Sequence, residues 1–232
     1  MSQWHQFRHI TKLDPDKKNT PEIIDLVNNS GTDAIMISGT QGITSENTLD
    51  LYNAVNDVTD KPILAEPAHK HALAPIGDKV DFIYLPVVLN SMAVKHLHDL
   101  QVDWMQDFVL AGTEVPWDRI VAEGYIILNP DSTVAKATKA RSDLTNVEVA
   151  AFANYAQLLG IDAVYIEYSG MFGDVETVSF VSKFMKKSKL FYGGGIASAQ
   201  QSQDMLQHAD TIFVGNIVYV DPEAFLSTIP TN

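Results

Sequence analysis

The chain has no cysteine among its 232 residues. Disulfide bonds, thiolate metal sites and cysteine nucleophiles are therefore excluded together, and any metal must be held by oxygen or imidazole ligands. The chain also has no run of about 18 apolar residues, the length that a membrane-spanning helix needs. Its first residues, Met1 to Arg8, lack the apolar core of a signal peptide, so we expect a cytoplasmic protein.

Basic residues are scarce: 16 Lys and Arg stand against 29 Asp and Glu, for a formal net charge of −13. Such a charge repels the phosphate backbone of nucleic acids and the anionic surface of a membrane. We therefore expect no nucleic-acid partner.

Two glycine turns are the most informative local feature. Phe191 to Ile196 reads FYGGGI, and Thr211 to Asn216 reads TIFVGN, with a helix-like stretch between them. Glycines at the carboxyl ends of consecutive parallel strands let backbone N–H groups approach an anion closely. In a (β/α)₈ barrel, the loops after strands 7 and 8 commonly bind phosphate. The alternative is that these glycines only turn the chain.

Strand-like and helix-like segments alternate along the whole chain, which predicts an α/β fold with a parallel barrel. Eight strands are predicted, at His9–Leu13, Ala34–Ser38, Ile63–Glu66, Phe82–Leu85, Gly124–Leu128, Ala163–Tyr168, Leu190–Tyr192 and Thr211–Val214. A doubly wound open sheet is the alternative, but its phosphate-binding turn would follow strand 1.

Helices are predicted from their capping residues and periodicity. They cover Glu22 to Asn29, Ser45 to Val58, Asn146 to Leu159, Asp174 to Lys187 and Ser198 to His208, and a further helix begins near Ser91. The segment from His69 to Gly77 is too short and too broken by Pro and Gly for a full helix, so we expect an irregular third crossover.

Two predicted strand ends carry polar pairs that share a face, Lys12 with Asp14 and Ser38 with Thr40. A lone Asp with a Thr hydroxyl is a sparse metal site, which suits Mg²⁺ completed by water and substrate phosphate. A Lys12–Asp14 surface ion pair is the alternative.

Strand 6 places Tyr165, Glu167 and Ser169 on one face, and Ile166 and Tyr168 on the other. A carboxylate flanked by hydroxyl groups at a barrel mouth can bind a polyol and accept its proton. The alternative is a Glu that only hydrogen-bonds a neighbouring loop. His69 and His71 receive no role, because no third metal ligand accompanies them.

Together, the motifs KLDP at Lys12, SGT at Ser38, YIEYSG at Tyr165, YGGGI at Tyr192 and VGN at Val214 resemble the geranylgeranylglyceryl/heptaprenylglyceryl phosphate synthase family, and most of all its bacterial, PcrB-type branch. The resemblance covers essentially the whole chain. It implies a single (β/α)₈ TIM-barrel domain over residues 1–232, modified by an irregular segment in place of the third helix. The implied reaction joins a polyprenyl diphosphate to the C3 hydroxyl of sn-glycerol 1-phosphate, with Mg²⁺, giving an ether-lipid precursor.

The resemblance also assigns residues. Those implied to bind sn-glycerol 1-phosphate are Lys12, Tyr165, Ile166, Glu167, Tyr168, Ser169, Gly170, Gly195, Gly215 and Asn216. Asp14 and Thr40 are implied to bind Mg²⁺, and Glu167 is the expected catalytic base. We further expect a homodimer and a transient contact with a membrane surface for the lipid product.

The bacterial branch implies a 35-carbon heptaprenyl chain lying between the segment after Glu66 and the helix that begins near Ser91. Trp104 on that helix is either a core residue or a stop that limits the chain to about 20 carbons. Two other functions stay open: a different phosphate-barrel enzyme, such as a sugar-phosphate isomerase or a lyase, and a non-catalytic phosphate-binding protein. A class I aldolase would need a Schiff-base Lys on strand 6, and the all-helical prenyl synthases would need an Asp-Asp pair; the sequence has neither.

Overall fold

A computed structural model describes residues 4–231 and contains a closed barrel of eight parallel strands in sequential order. The strands are β1 (His9–Leu13), β2 (Ala34–Ser38), β3 (Ile63–Glu66), β4 (Phe82–Val88), β5 (Ile120–Ile127), β6 (Ala163–Glu167), β7 (Lys189–Gly193) and β8 (Thr211–Val214). Strand β8 pairs with β1, which closes the barrel. The predicted (β/α)₈ architecture is confirmed.

Helices cover the outside of the barrel. They are α1 (Pro21–Asn29), α2 (Ser45–Asn56), α3 (Lys70–Leu73), α4 (Asp99–Ala111), α5 (Thr133–Thr138), α6 (Asn146–Leu158), α7 (Val175–Ser182), α8 (Ala199–Leu206), α9 (Ile217–Val220) and α10 (Pro222–Ser227). Side-chain caps explain several starts: Thr44 and Thr145 each form a capping box with the residue three positions on. No helix within the described range is long and apolar enough to cross a bilayer.

Alternation along each strand separates two apolar cores. Outward-facing side chains such as Leu13 and Ile166 pack against the helices. Inward-facing side chains fill the barrel, where Tyr165, Phe191 and Phe213 form a cluster of aromatic rings. The barrel interior is therefore packed, and a ligand can enter only at its ends.

Strands β4 and β5 extend well beyond the sequence prediction, and β7 is longer by one residue at each end. Strand β4 continues through Pro86 to Val88, and β5 starts at Ile120 rather than Gly124. Strand β3 pairs with β4 only at Phe82 and Ile83, so Pro86 has a partner in β5 alone. Proline is tolerated where a strand has a free side, because its missing N–H then breaks no ladder bond.

The helices differ from prediction mainly at their ends. The third crossover contains only the single turn α3, as expected from its Pro and Gly residues. The helix expected to begin near Ser91 begins at Asp99, after a short 3₁₀ turn at Val94–His96. Helix α7 ends at Ser182, before the lysine-rich segment, and the short helices α5, α9 and α10 were not predicted.

A substitution at Gly195 can test how tightly the turn after β7 is packed. It has φ of +55°, and a Cβ there would lie 2.1 Å from the Phe172 nitrogen, whereas Gly160 has φ of +74° with open space around it. Alanine at either position carries the left-handed backbone penalty of about 1–2 kcal/mol. We expect Gly195→Ala to lose about 1–3 kcal/mol more than Gly160→Ala in the free energy of unfolding, because of the added clash. Equal losses in chemical denaturation would contradict this packing.

Candidate active site

An open cavity of about 640 Å³ lies at the carboxyl ends of the strands. Every strand contributes to it through its last residues or the loop that follows. The polar and glycine residues that line it include Lys12, Asp14, Asp16, Ser38, Gly39, Thr40, Glu66, Tyr125, Tyr165, Glu167, Ser169, Gly170, Gly193, Gly194, Gly195, Gly215 and Asn216. An open cavity of this volume with convergent polar groups is typical of a small-molecule site.

Both glycine turns reach this cavity. Gly194 has φ of +143° and Gly195 has φ of +55°, conformations that strongly favour glycine. Gly193 lies against the Tyr165 hydroxyl, and a Cβ there would be 1.9 Å from that oxygen. The turn after β7 therefore needs glycine for packing as well as for backbone approach to a ligand. After β8, Gly215 lies beside Lys12.

Lys12 carries the positive charge at the floor of the cavity. Its Nζ donates to both carboxylate oxygens of Glu66, at 2.9 and 2.8 Å, and to the Tyr125 hydroxyl at 3.2 Å. The hydroxyls of Ser38 and Tyr125 also donate to Glu66. Lys12 thus pairs with Glu66 across the barrel, and the alternative of a Lys12–Asp14 surface pair is wrong.

Aromatic rings surround the same ammonium group. Nζ of Lys12 lies 4.8 Å from the Tyr165 ring centre and 5.1 Å from that of Phe213. The rings of Tyr125 and Tyr165 stack with centres 4.3 Å apart. Cation–π attraction favours the charged form of Lys12 at this position.

The ionisable groups inside the barrel shift one another's pKa values. Burial lowers the pKa of Lys12, but the carboxylates of Glu66, Glu167 and Glu123 outweigh it and raise that pKa overall. Burial raises the pKa of Glu123 well above its ordinary value, and the charge of Glu66 raises it further. Neither carboxylate oxygen of Glu123 has a hydrogen-bond partner among the described residues. These surroundings favour Glu123 as a neutral acid.

Glu167 lies at the end of β6 and is almost fully buried. Burial is the main cause that raises its pKa to about 7; Lys12 lowers the value and Glu66 raises it again. A carboxyl group that titrates near neutral pH inside a cavity can exchange a proton with a bound ligand. The role of Glu167 as a base stays a prediction.

The other residues of this strand divide between two faces, as predicted. Tyr165, Ser169 and Gly170 line the cavity with Glu167. The side chains of Ile166 and Tyr168 instead pack against the helices, and neither residue is among those that line the cavity. The Asn129 amide donates to the Ser169 carbonyl at 2.7 Å and holds this loop in place.

Asp14 and Thr40 line one side of the cavity and offer oxygen ligands, the type that Mg²⁺ takes. Gly39 approaches Asp14 so closely that a Cβ there would lie 2.5 Å from Oδ1, which brings the loop carrying Thr40 against the carboxylate. Burial raises the pKa of Asp14, so a bound cation would offset the cost of its charge. Within residues 4–231 no three His, Cys, Asp or Glu side chains converge on a metal position. Such a sparse site suits Mg²⁺ that keeps waters and substrate oxygens.

Sequence reasoning missed Glu66, Glu123 and Tyr125, which complete the polar network. Glu123 and Tyr125 alternate along β5, and a period-two reading extended back to Ile120 would have turned both inward. Glu66 is a charged residue at the end of the apolar strand β3, just as Lys12 is a charged residue within β1. His69 has a structural role, because its ring accepts the N–H of Ala72 and caps α3.

The fold is a (β/α)₈ barrel with glycine turns after β7 and β8. Its cavity contains a buried Lys and a Glu whose pKa is about 7. These features are typical of enzymes that bind phosphate ligands. Comparison with known proteins narrows this class. The family model described as the PcrB family matches residues 2–231. The chain belongs to the PcrB family.

Curated relatives agree with this family. Heptaprenylglyceryl phosphate synthase from Bacillus cereus (strain AH187) is 40% identical over 224 residues, which cover 96% of this chain and 95% of that protein. The enzyme of the same name from Bacillus anthracis (strain A0248) has the same identity and coverage.

Solved structures share the fold. (S)-3-O-geranylgeranylglyceryl phosphate synthase from Thermoplasma acidophilum, in complex with its substrate sn-glycerol-1-phosphate, superposes with a TM-score of 0.82 at 24% identity, covering 97% of this chain and 91% of that one. An archaeal fructose 1,6-bisphosphate aldolase reaches a TM-score of 0.59 at 17% identity, covering 97% of this chain and 92% of that one.

Proposed function

We propose that this protein transfers a polyprenyl group, heptaprenyl by preference, from its diphosphate to the C3 hydroxyl of sn-glycerol 1-phosphate. The observation that carries the proposal is the position of Glu167, a buried carboxyl with a pKa of about 7, in one cavity with the glycine turns and Lys12. Relatives named heptaprenylglyceryl phosphate synthase support the same reaction. In this proposal, residues 1–232 form one prenyltransferase domain.

Glycerol phosphate binds across the mouths of β1, β6, β7 and β8. Its phosphate lies against the backbone of Gly195 and Gly215 and the amide of Asn216, all of which line the cavity. Its hydroxyl groups meet Glu167 and Ser169. Lys12 supplies the positive charge beneath them, and Ser169 and Gly170 close the site from the β6 loop.

Transfer needs one bond to break and one to form. The allylic C–O bond to the diphosphate breaks, and its electron pair leaves with the diphosphate. The C3 hydroxyl oxygen then bonds to the allylic carbon, and its proton passes to Glu167. Mg²⁺ held by Asp14 and Thr40 would neutralise the leaving diphosphate.

The prenyl chain lies on the apolar side of the cavity. Pro67 and Ala68, after β3, and Leu100 of α4 line it, as expected from the sequence, and Val134 of α5 adds a wall that was not predicted. Trp104 packs in the core, edge-to-face with Phe108 at 5.0 Å, and is not part of the lining. This arrangement favours a long chain over one that stops near 20 carbons.

Further expectations concern partners. A homodimer fits the row of exposed Val147, Tyr155 and Leu158 on one face of α6. Transient membrane contact at the barrel mouth fits Val220, which lines the cavity and is exposed. Because the net charge is −13, that contact would rest on apolar side chains. The cytoplasmic location stays a prediction.

Turnover with defined lipids tests the proposed function. We expect ether product from sn-glycerol 1-phosphate and heptaprenyl diphosphate, dependent on Mg²⁺, with a higher kcat/KM than for geranylgeranyl diphosphate. Because Trp104 lies in the core, Trp104→Phe should leave this preference unchanged. Absence of product contradicts the reaction, and a native preference for the 20-carbon substrate that Trp104→Ala relaxes contradicts the heptaprenyl assignment.

The base role of Glu167 predicts a pH dependence. A base acts when deprotonated, so kcat/KM for glycerol phosphate should fall as pH drops through about 7, the pKa of Glu167. Glu167→Gln should lower turnover by about 10²-fold or more, because it removes a positioned proton acceptor. The residual activity of Glu167→Gln should also not show this fall at acidic pH. Such a result would distinguish ionisation of Glu167 from ionisation of the substrate phosphate. Near-native turnover of Glu167→Gln would exclude the role.

A further inference from the structure

Tyr219 holds the loop that carries Asp14. This residue lies on α9, directly after the turn that contains Gly215 and Asn216, and its ring is half-buried. The Asp14 N–H donates to the Tyr219 hydroxyl at 2.9 Å, and that hydroxyl donates to Oδ1 of Asn19 at 2.8 Å. Burial is the main reason that the pKa of this hydroxyl lies above its ordinary value, so it stays a proton donor.

Asn19 also holds the loop that carries Asp14. Its Nδ2 donates to the Asp14 carbonyl at 2.8 Å and to the Lys17 carbonyl at 3.0 Å. Both backbone groups of Asp14 are therefore bonded: the N–H donates to Tyr219, and the carbonyl accepts from Asn19 and from the Lys17 N–H at 3.0 Å. With its N–H and C=O held, the Asp14 backbone cannot rotate freely. The carboxylate also accepts from the Asp16 N–H at 3.0 Å through Oδ1, so its direction is restricted from both the backbone and the side chain.

The same helical turn touches the other substrate region. The Tyr219 N–H donates to the Asn216 carbonyl at 3.2 Å. Nζ of Lys17 lies 2.5 Å from Oδ1 of Asn216 and 4.7 Å from the centre of the Tyr219 ring. The loop after β1 and the turn after β8 are thus joined at two points.

We propose that Tyr219 is a positioning residue that aims Asp14 at the metal-bound diphosphate and ties that loop to the glycerol phosphate turn. The role rests on the proposed function, since it gives Tyr219 a task only where Asp14 meets a diphosphate. Outer partners of a metal ligand commonly change metal affinity or activity by about 10–100-fold when they are removed. The Tyr219 hydroxyl is such a partner, and it acts through the backbone of Asp14.

Tyr219→Phe removes only the hydroxyl and keeps the ring. Binding of magnesium pyrophosphate, the inorganic counterpart of the leaving group, should weaken about 10-fold or more by calorimetry, because Asp14 loses its alignment. Binding of sn-glycerol 1-phosphate should stay unchanged, since Lys17 still reaches Asn216. Asn19→Ala removes the side-chain donor to the Asp14 carbonyl and leaves the Lys17 N–H bonded to it at 3.0 Å. It should weaken binding of magnesium pyrophosphate in the same direction, and it provides a second test if Tyr219→Phe folds poorly.

Tyr52→Phe is the matched control. The Tyr52 hydroxyl also donates within the fold, to Asn56 at 3.1 Å, but it lies on α2 away from the cavity. It should lower the melting temperature without changing either affinity. Equal binding of magnesium pyrophosphate by native protein and Tyr219→Phe, no binding by native protein, or a parallel loss of both ligands would overturn the proposal. The proposed reaction is judged separately, by whether the native protein makes ether product.

Discussion

The ion pair between Lys12 and Glu66 is the interaction on which the site depends. It joins β1 to β3 across the inside of the barrel, with the side chain of Lys12 18% exposed and that of Glu66 9% exposed. An ammonium group in such a position is stable only if it is paired and hydrogen-bonded. Ser38 and Tyr125 supply the remaining hydrogen bonds to Glu66. Side chains from four strands, β1, β2, β3 and β5, therefore take part in this ion pair and its hydrogen bonds.

This pairing shapes how an anionic substrate can bind. Because Glu66 already balances the charge of Lys12, the cavity floor is not an open cationic patch. In the proposed function, recognition of phosphate would therefore fall largely on the backbone at Gly195 and Gly215, and recognition of diphosphate on the cation that Asp14 would hold. Burial is the main cause that raises the pKa of Glu123 and brings that of Glu167 to about 7. The charge of Glu66 adds to both shifts, since the described part of the barrel interior holds three carboxyl groups, Glu66, Glu123 and Glu167, and the ammonium group of Lys12.

Much of the barrel was predictable because local signals agree with the global fold. Runs such as Ala34–Ser38 are apolar and β-branched, and their boundaries match the structure. The predicted β4 ended at Leu85, before Pro86. A proline can lie in this strand because β3 does not pair with that part of it, and the sequence of β4 does not show how far β3 extends. Glu66 could not be matched with Lys12 from sequence, because 54 residues separate two groups that only barrel closure brings together. The link from Tyr219 to Asp14 spans 205 residues and was hidden for the same reason.

A double-mutant cycle on Lys12 and Glu66 tests the central claim most directly. The free energy of unfolding would be measured by chemical denaturation for Lys12→Met, Glu66→Gln and the double variant. Removing one partner of a buried pair leaves the other unpaired, so each single change should cost about 3 kcal/mol or more. The double variant should lose clearly less than the sum of the two. Additive losses, or single variants as stable as the native protein, would contradict the account.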